Sequence, residues 1–299
     1  MPEIPDLDVY VDHLERRLEG QPLEQLRIAS PFVLRTVEPA PDAFLGRPLR
    51  AVRRLAKQLV FEFSDEHFLV LHLMIAGRLQ WRESTASTPV TLPKRNGLLA
   101  LDFTPGTVLV TEPSKKKRAS LKLLRGAAAL AALDPGGIEV QQVTLDVFAE
   151  RLKAAPHTLK RALTDQRVFA GIGNAYSDEI LHRAQLSPFK PVRNLSPAEI
   201  ETLYHAIQAC LEEWTERLRT ASGAKFPAKV TAFQAEMAVH GKYREPCPVC
   251  GAPVQRIRYA ENEANYCARC QTGGRVLADR SLSRLLKDNW PKRIEDLEG

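Results

Sequence analysis

The 299-residue chain is poor in several residue types: five cysteines, three methionines, three tryptophans, and aromatics at only 7%. No apolar run approaches the roughly 18–20 residues that a membrane-spanning helix requires, so a helical membrane protein is excluded. No extended low-complexity tract is present and hydrophobic residues make up 44% of the chain, which excludes disorder throughout. Neither sign of charge dominates: 42 Lys+Arg against 36 Asp+Glu leave +6. That balance permits a polyanionic partner without demonstrating one. The start, MPEIPDLD, lacks the basic segment and apolar run of a signal peptide, so the expected location is cytoplasmic, where disulfides are rare.

Against that scarcity, the placement of cysteine is informative. Cys247, Cys250, Cys267 and Cys270 form C-x2-C-x16-C-x2-C, the spacing of a four-thiolate zinc site. Two CxxC knuckles facing each other across a hairpin supply the four soft ligands of a tetrahedron, with no open position, so one structural Zn2+ is expected. VQRIRYA and EANYC read as the two hairpin strands, with a turn near Glu261-Asn262-Glu263. Cys210, alone in a helical stretch, reads as a core thiol.

Leu7, Val11, Leu14 and Leu18 make a helical stripe after Pro5. LVFEF, FLVLHLMI, LLALDF and TVLVTE then read as short strands separated by turn signals. Six of the twelve residues at 114–125 are basic, and the Ala- and Gly-rich GAAALAALDPGG follows as an expected hinge. From residue 144 the period is helical. The expected fold class is α+β: an N-terminal antiparallel β-sandwich with a flanking helix, then a helical domain carrying a zinc hairpin. The expected boundaries are 1–125 for the sandwich, 126–143 for the hinge, 144–242 for the helical domain, 243–275 for the zinc finger and 276–299 for an extension.

FAGIGNAYSDEIL places Gly171 and Gly173 before a helix starting near Asn174, where backbone N–H groups can receive a phosphate. With the helix pair before it and the zinc hairpin after it, this becomes a helix–two-turn–helix arrangement. The chain here resembles the formamidopyrimidine-DNA glycosylase and endonuclease VIII family. The resemblance runs from PEIPDLD through RRLAKQLVFEF and HLMIAGRL to LKRALTDQRVFAGIGNAYSDEIL and VHGKYREPCPVCG. It implies a bifunctional base-excision-repair glycosylase with AP lyase activity acting on damaged DNA, duplex or single-stranded, as a nucleoid-associated monomer. Pro2, freed by removal of Met1, matches the family's nucleophile, which forms a covalent iminium at the sugar C1′. Glu3 matches the proton-transfer carboxylate, and Lys57 the lysine that holds phosphate beside the lesion. Lys160 and Asn174 match backbone-gripping residues, while Tyr176 reads as packing. His72 and His240 lie in no metal-ligand pattern; packing or a hydrogen bond accounts for each.

Three departures from the family pattern stand out. The wedge methionine corresponds to Ile75, and the Arg-Phe segment to EPSKKKRAS, which has no aromatic but offers Lys115, Lys116, Lys117 and Arg118 to phosphates. Asn262, between two acids, stands where the family has an arginine, leaving Arg256 or Arg258 to compensate. Segment 220–234 is shortened and altered where the formamidopyrimidine branch covers oxidised purines. These departures keep open an alternative, a non-catalytic or lyase-only relative binding distorted, abasic or single-stranded DNA. In the tail, Ser281, Leu282, Leu285 and Leu286 suggest a short amphipathic helix ending before Pro291.

Overall fold

The computed structural model describes residues 1–84, 90–227, 230, 234–259, 262–278, 285 and 291–297. The chain forms two compact units, residues 1–135 with 214–232 and residues 136–213 with 233–299.

In the first unit, α1 (Ile4–Leu18) buries Leu7, Tyr10, Leu14 and Leu18, a stripe at spacings of three and four, and Val11 packs at its edge. Two four-stranded antiparallel sheets follow. One is ordered β2 (Leu49–Leu55), β3 (Gln58–Phe63), β4 (His67–His72), β8 (Ser120–Arg125). The other is ordered β1 (Leu23–Ile28), β6 (Gly97–Phe103), β7 (Gly106–Thr111), β5 (Arg78–Glu83). Alternation sorts β3 into two faces: Leu59, Phe61 and Phe63 enter the main core. Val60 joins Phe68, Val70 and Leu130 on the opposite face. Each fully buried Phe or Leu contributes roughly 1.5–3 kcal/mol, so this layer dominates the unit's stability.

The basic run 114–125 is partly a strand: Leu121 and Leu123 of β8 are buried, and Lys115–Arg118 form the basic loop before it. The Ala-rich passage expected as a hinge holds the helix α2 (Ala127–Ala131), whose Leu130 is buried against the sheet, and the division between the two units follows it at Pro135 and Gly136, within the expected 126–143. Alanine's helix propensity and one apolar anchor outweigh the flanking glycines.

The second unit contains α3 (Leu145–Lys153), α4 (Leu159–Thr164), α5 (Asn174–Arg183) and the first part of α6 (Pro197–Ser222). A hairpin of β9 (Gln255–Tyr259) and β10 (Asn262–Tyr266) leads into α7 (Ala268–Thr272). Cys210 is a buried thiol, as expected. Of the expected tail helix, Ser281, Leu282 and Leu286 lie outside the described residues and Leu285 is exposed. The chain returns at Ile294, which is buried in the zinc-finger core and donates its N–H to the Gly274 carbonyl at 2.8 Å.

Candidate functional site

The N-terminus is built into α1. Glu3 is the residue before the helix, and its N–H donates to the Asp6 carboxylate at 2.9 Å, one half of a capping box. Pro2, Glu3 and Asp6 are all buried. The Met1 amine is held below its ordinary pKa, first by burial and then by Arg78 and Lys57, against the opposing charges of Glu3 and Asp6. Glu3, Asp6, Arg78 and Lys57 therefore all lie within electrostatic range of the amine that precedes Pro2. Burial, reinforced by the Glu3 charge, pushes the Asp6 carboxyl up to about 7.

Lys57 lies in the two-residue turn between β2 and β3, closed by the pairing Leu55↔Gln58. Its neighbour Ala56 takes φ +49°, the left-handed conformation that tight hairpins demand and a β-carbon resists.

After β4 the chain closes a tight loop, with the Gly77 N–H on the Leu73 carbonyl at 2.9 Å. A β-carbon on Gly77 would meet that carbonyl oxygen at 2.3 Å, so only glycine fits. Met74 is left-handed at φ +53° and Ile75 stands at the tip, 53% exposed. The loop is braced from both ends. His72 Nδ1 accepts the Met74 N–H at 3.0 Å, and Arg78 donates to the carbonyls of Ile75 and Gly77 at 3.1 and 2.7 Å. Burial, then Lys57 and Lys122, lower the His72 pKa to about 4, so the ring is neutral near pH 7. His72 thus makes a hydrogen bond, as its bland sequence context allowed, but it holds the loop that carries Ile75.

Lys115, Lys116 and Lys117 are exposed and Arg118 half-buried. Their loop is anchored by buried Glu112, whose Oε2 accepts from the N–H groups of Arg118 and Ala119 at 2.9 and 3.0 Å. Lys117 turns back to the Glu112 carbonyl. In the altered segment 220–234, Phe226 stacks on Tyr10 with ring centroids 5.7 Å apart. Residues 228–229 and 231–233 lie outside the described residues.

In the second unit, α4 and α5 flank the two-turn segment. Gly171 adopts φ +80° and its N–H donates to Gln166 Oε1 at 2.9 Å, while Gln166 Nε2 reaches the carbonyls of Thr164 and Ile172. Asn174 is the half-exposed first residue of α5, and Tyr176 is buried as packing. Lys160 differs from expectation. Its ammonium is buried, paired with Asp178 and donating to the Asn174 carbonyl at 2.7 Å. Desolvated and paired inside the fold, it fixes the helix start instead of presenting a charge to solvent. Asp178 also takes a hydrogen bond from Asn265 at 3.0 Å and meets His240 Nδ1 at 2.8 Å. One carboxylate thereby joins α4, the loop at His240 and β10.

The sulfurs of Cys247, Cys250, Cys267 and Cys270 lie within 4.8 Å of one another, and the pairs Cys250–Cys267 and Cys247–Cys270 are 3.4 and 3.9 Å apart. Sulfurs of a tetrahedral site with metal–sulfur bonds of about 2.3 Å stand about 3.8 Å apart, so this set fits a metal ion. The cysteines carry no disulfide.

On the hairpin, Arg256 is half-buried and Arg258 exposed, its Nε 3.6 Å from Glu263. Glu261 lies outside the described residues. Asn262 pairs through its backbone with Tyr259 as the first residue of β10, so it begins a strand rather than occupying the turn.

Comparison with known proteins agrees with this architecture. Three family models match in order: the formamidopyrimidine-DNA glycosylase N-terminal domain over residues 1–118, its H2TH domain over 132–225, and the zinc finger found in FPG and IleRS over 244–273. A formamidopyrimidine-DNA glycosylase of Chloroflexus aurantiacus is 31% identical over 283 residues, 91% of this chain and 98% of its own. An uncharacterized formamidopyrimidine-DNA glycosylase-like protein of Mycobacterium tuberculosis is 40% identical over 156 residues, 52% of this chain and 95% of its own. Among solved structures, Lactococcus lactis Fpg in complex with abasic-site DNA superposes with a TM-score of 0.77 at 26% identity, covering 90% of this chain and 99% of that one. Near-complete coverage of a relative above 30% identity, with all three domains in the same order, shows that the chain belongs to the formamidopyrimidine-DNA glycosylase family.

Proposed function

We propose that this protein is a bifunctional DNA glycosylase and AP lyase of base-excision repair, with Pro2 as nucleophile. The observation that carries this reading is buried Pro2 beside buried Glu3 at the start of α1, with Glu3, Asp6, Arg78 and Lys57 all acting on the adjacent Met1 amine. After removal of Met1, the secondary amine of Pro2 attacks the sugar C1′. The C1′–base bond breaks with its electron pair passing to the base, which takes up a proton. The burial that lowers the Met1 amine pKa would act in the same direction on an amine at adjacent Pro2 and favour its neutral, nucleophilic form. The sugar ring opens to an iminium. Loss of a C2′ proton then expels the 3′-phosphate, and a second elimination expels the 5′-phosphate. Glu3 carries protons between the amine, the ring oxygen and C2′. Lys57 holds the flanking phosphate, a contact that positions without reading sequence.

Damaged DNA, duplex or single-stranded, is the proposed substrate and a monomer the acting form; solved relatives include Fpg complexes with a THF-DNA and with abasic-site DNA. The α5 start at Asn174, the Lys115–Arg118 loop and Arg256 with Arg258 are the proposed backbone contacts, and Ile75 the wedge that fills the gap left by the extruded base. Cys247, Cys250, Cys267 and Cys270 would hold one structural Zn2+, which cross-links the hairpin and takes no part in the chemistry.

Borohydride trapping on abasic DNA tests this reading. Protein shown by mass spectrometry to lack Met1 should form a permanent cross-link, and Pro2→Gly should reduce it at least tenfold. Fully processed protein that leaves no cross-link would sink the proposal.

A further inference from the structure

Arg244 has a left-handed backbone, φ +70°, a conformation that favours glycine and that an arginine adopts only under constraint. Its N–H donates to the Val254 carbonyl at 2.9 Å, and the Val254 N–H returns to the Glu245 carbonyl at the same distance. This short ladder lays the loop ahead of the first knuckle alongside the entry to β9. The consequence is an arrangement around Tyr243. Arg256 lies 4.3 Å from the tyrosine ring centroid and Arg244 lies 5.2 Å from it. Both distances are within the range of a favourable cation–ring contact.

The neighbouring charges are accounted for. Lys242 pairs with Glu245 at 3.1 Å and Arg258 approaches Glu263 at 3.6 Å. Among the described residues, no carboxylate pairs with Arg244 or Arg256. Tyr243 and Arg244 are exposed and Arg256 half-buried. Two guanidinium groups without a counter-anion, steadied by one aromatic ring, make an anion site. Arginine's planar fork suits it to phosphate oxygens.

We propose that Arg244, Tyr243 and Arg256 form a DNA-phosphate clamp on the zinc finger, at the entry to β9. The clamp rests on the DNA-binding reading above. It supplies positive charge to a zinc finger whose sequence has Asn262 between Glu261 and Glu263. The left-handed arginine is retained because its guanidinium contacts DNA, at a cost in stability that glycine would avoid.

This trade-off provides the test. Binding of the metal-loaded protein to a duplex containing a tetrahydrofuran abasic analogue is measured by fluorescence anisotropy between 50 and 200 mM salt, beside a melting curve. Arg244→Gly should bind roughly 3- to 10-fold more weakly, and its plot of log K against log salt should be shallower by about 0.9. The melting temperature should stay level or rise by about 2–4 °C. Undamaged duplex should weaken by the same factor, because phosphate contacts are blind to the lesion. Arg256→Gln should lose affinity and slope similarly, whereas Arg244→Lys, which keeps the charge, should retain the slope. Wild-type binding with unchanged slope and affinity in Arg244→Gly and Arg256→Gln would overturn the clamp alone. Wild-type protein with no affinity for the duplex would overturn the DNA-binding reading together with it.

Discussion

His182 Nε2 lies 3.2 Å from Cys247 Sγ, a hydrogen bond from helix α5 to one of the four clustered thiols. A metal-bound thiolate can only accept, so Nε2 must carry the proton. Burial holds the imidazole pKa below its ordinary value, which keeps the ring neutral at physiological pH. Donors to metal-bound groups typically account for 10–100-fold in metal affinity. His182→Phe should therefore release metal to a chromogenic chelator at least tenfold faster, with Co2+-loaded protein showing an altered thiolate charge-transfer band. His182→Gln, which still offers an N–H, should fall between. Release at the wild-type rate in His182→Phe would mean that the contact does not support the metal.

Asp6 and His72 make opposing contributions to the pH dependence of stability. Asp6 titrates near 7 in the folded state against 3.8 unfolded. The folded protein therefore binds the extra proton between those values, and stability falls as pH rises through that window. His72 titrates near 4 against 6.5. There the unfolded chain binds the extra proton, and stability rises with pH. Each contribution is on the order of 3–4 kcal/mol, so they largely cancel between pH 4 and 6.5. Asp6→Asn should unmask the histidine, giving a melting temperature that climbs with pH across that window, while His72→Asn should give one that falls. Identical profiles for wild type and both variants would refute the assignment.

The Ala56-Lys57 turn places a β-carbon in a left-handed position. Ala56→Gly should stabilise the protein by about 0.5–1 kcal/mol in urea denaturation, since relief of strain exceeds glycine's entropy cost. Lys57→Ala should leave stability within about 0.5 kcal/mol while lowering cleavage of abasic DNA by an order of magnitude or more. A large loss of stability in Lys57→Ala would point to a packing role instead.

Ile75 stands exposed at the loop tip. Ile75→Ala removes little buried surface and should change stability by no more than about 0.5 kcal/mol. If the side chain fills the gap in a base stack, excision from duplex DNA should fall about tenfold and excision from single strands should be unaffected. Equal losses on both substrates would exclude the wedge role.

The features legible in the sequence were those encoded locally. The four cysteines announce themselves because ligand spacing within a hairpin is a short-range property. Helix α1, strands β3, β4, β6 and β7, and the glycines before α5 were legible for the same reason, since apolar periodicity and turn chemistry act over a few residues. β2 and β8 were obscured by their arginines and lysines, which face away from the core and mask the alternation of Leu49, Val52, Leu121 and Leu123.

Tertiary structure decided what each charge does. Sequence offered Lys160 as a phosphate ligand; folding buried it on Asp178. His72 had no motif, yet strand pairing set it beneath the loop of Ile75 and within the field of Lys57. Arg244 and Arg256, twelve positions apart, meet across Tyr243 only because the backbone of 244–245 pairs with Val254. Motif chemistry is short-range and survives in the sequence as spacing. Burial and charge pairing depend on which distant segments share a dry interior, and that is settled only when the chain closes on itself.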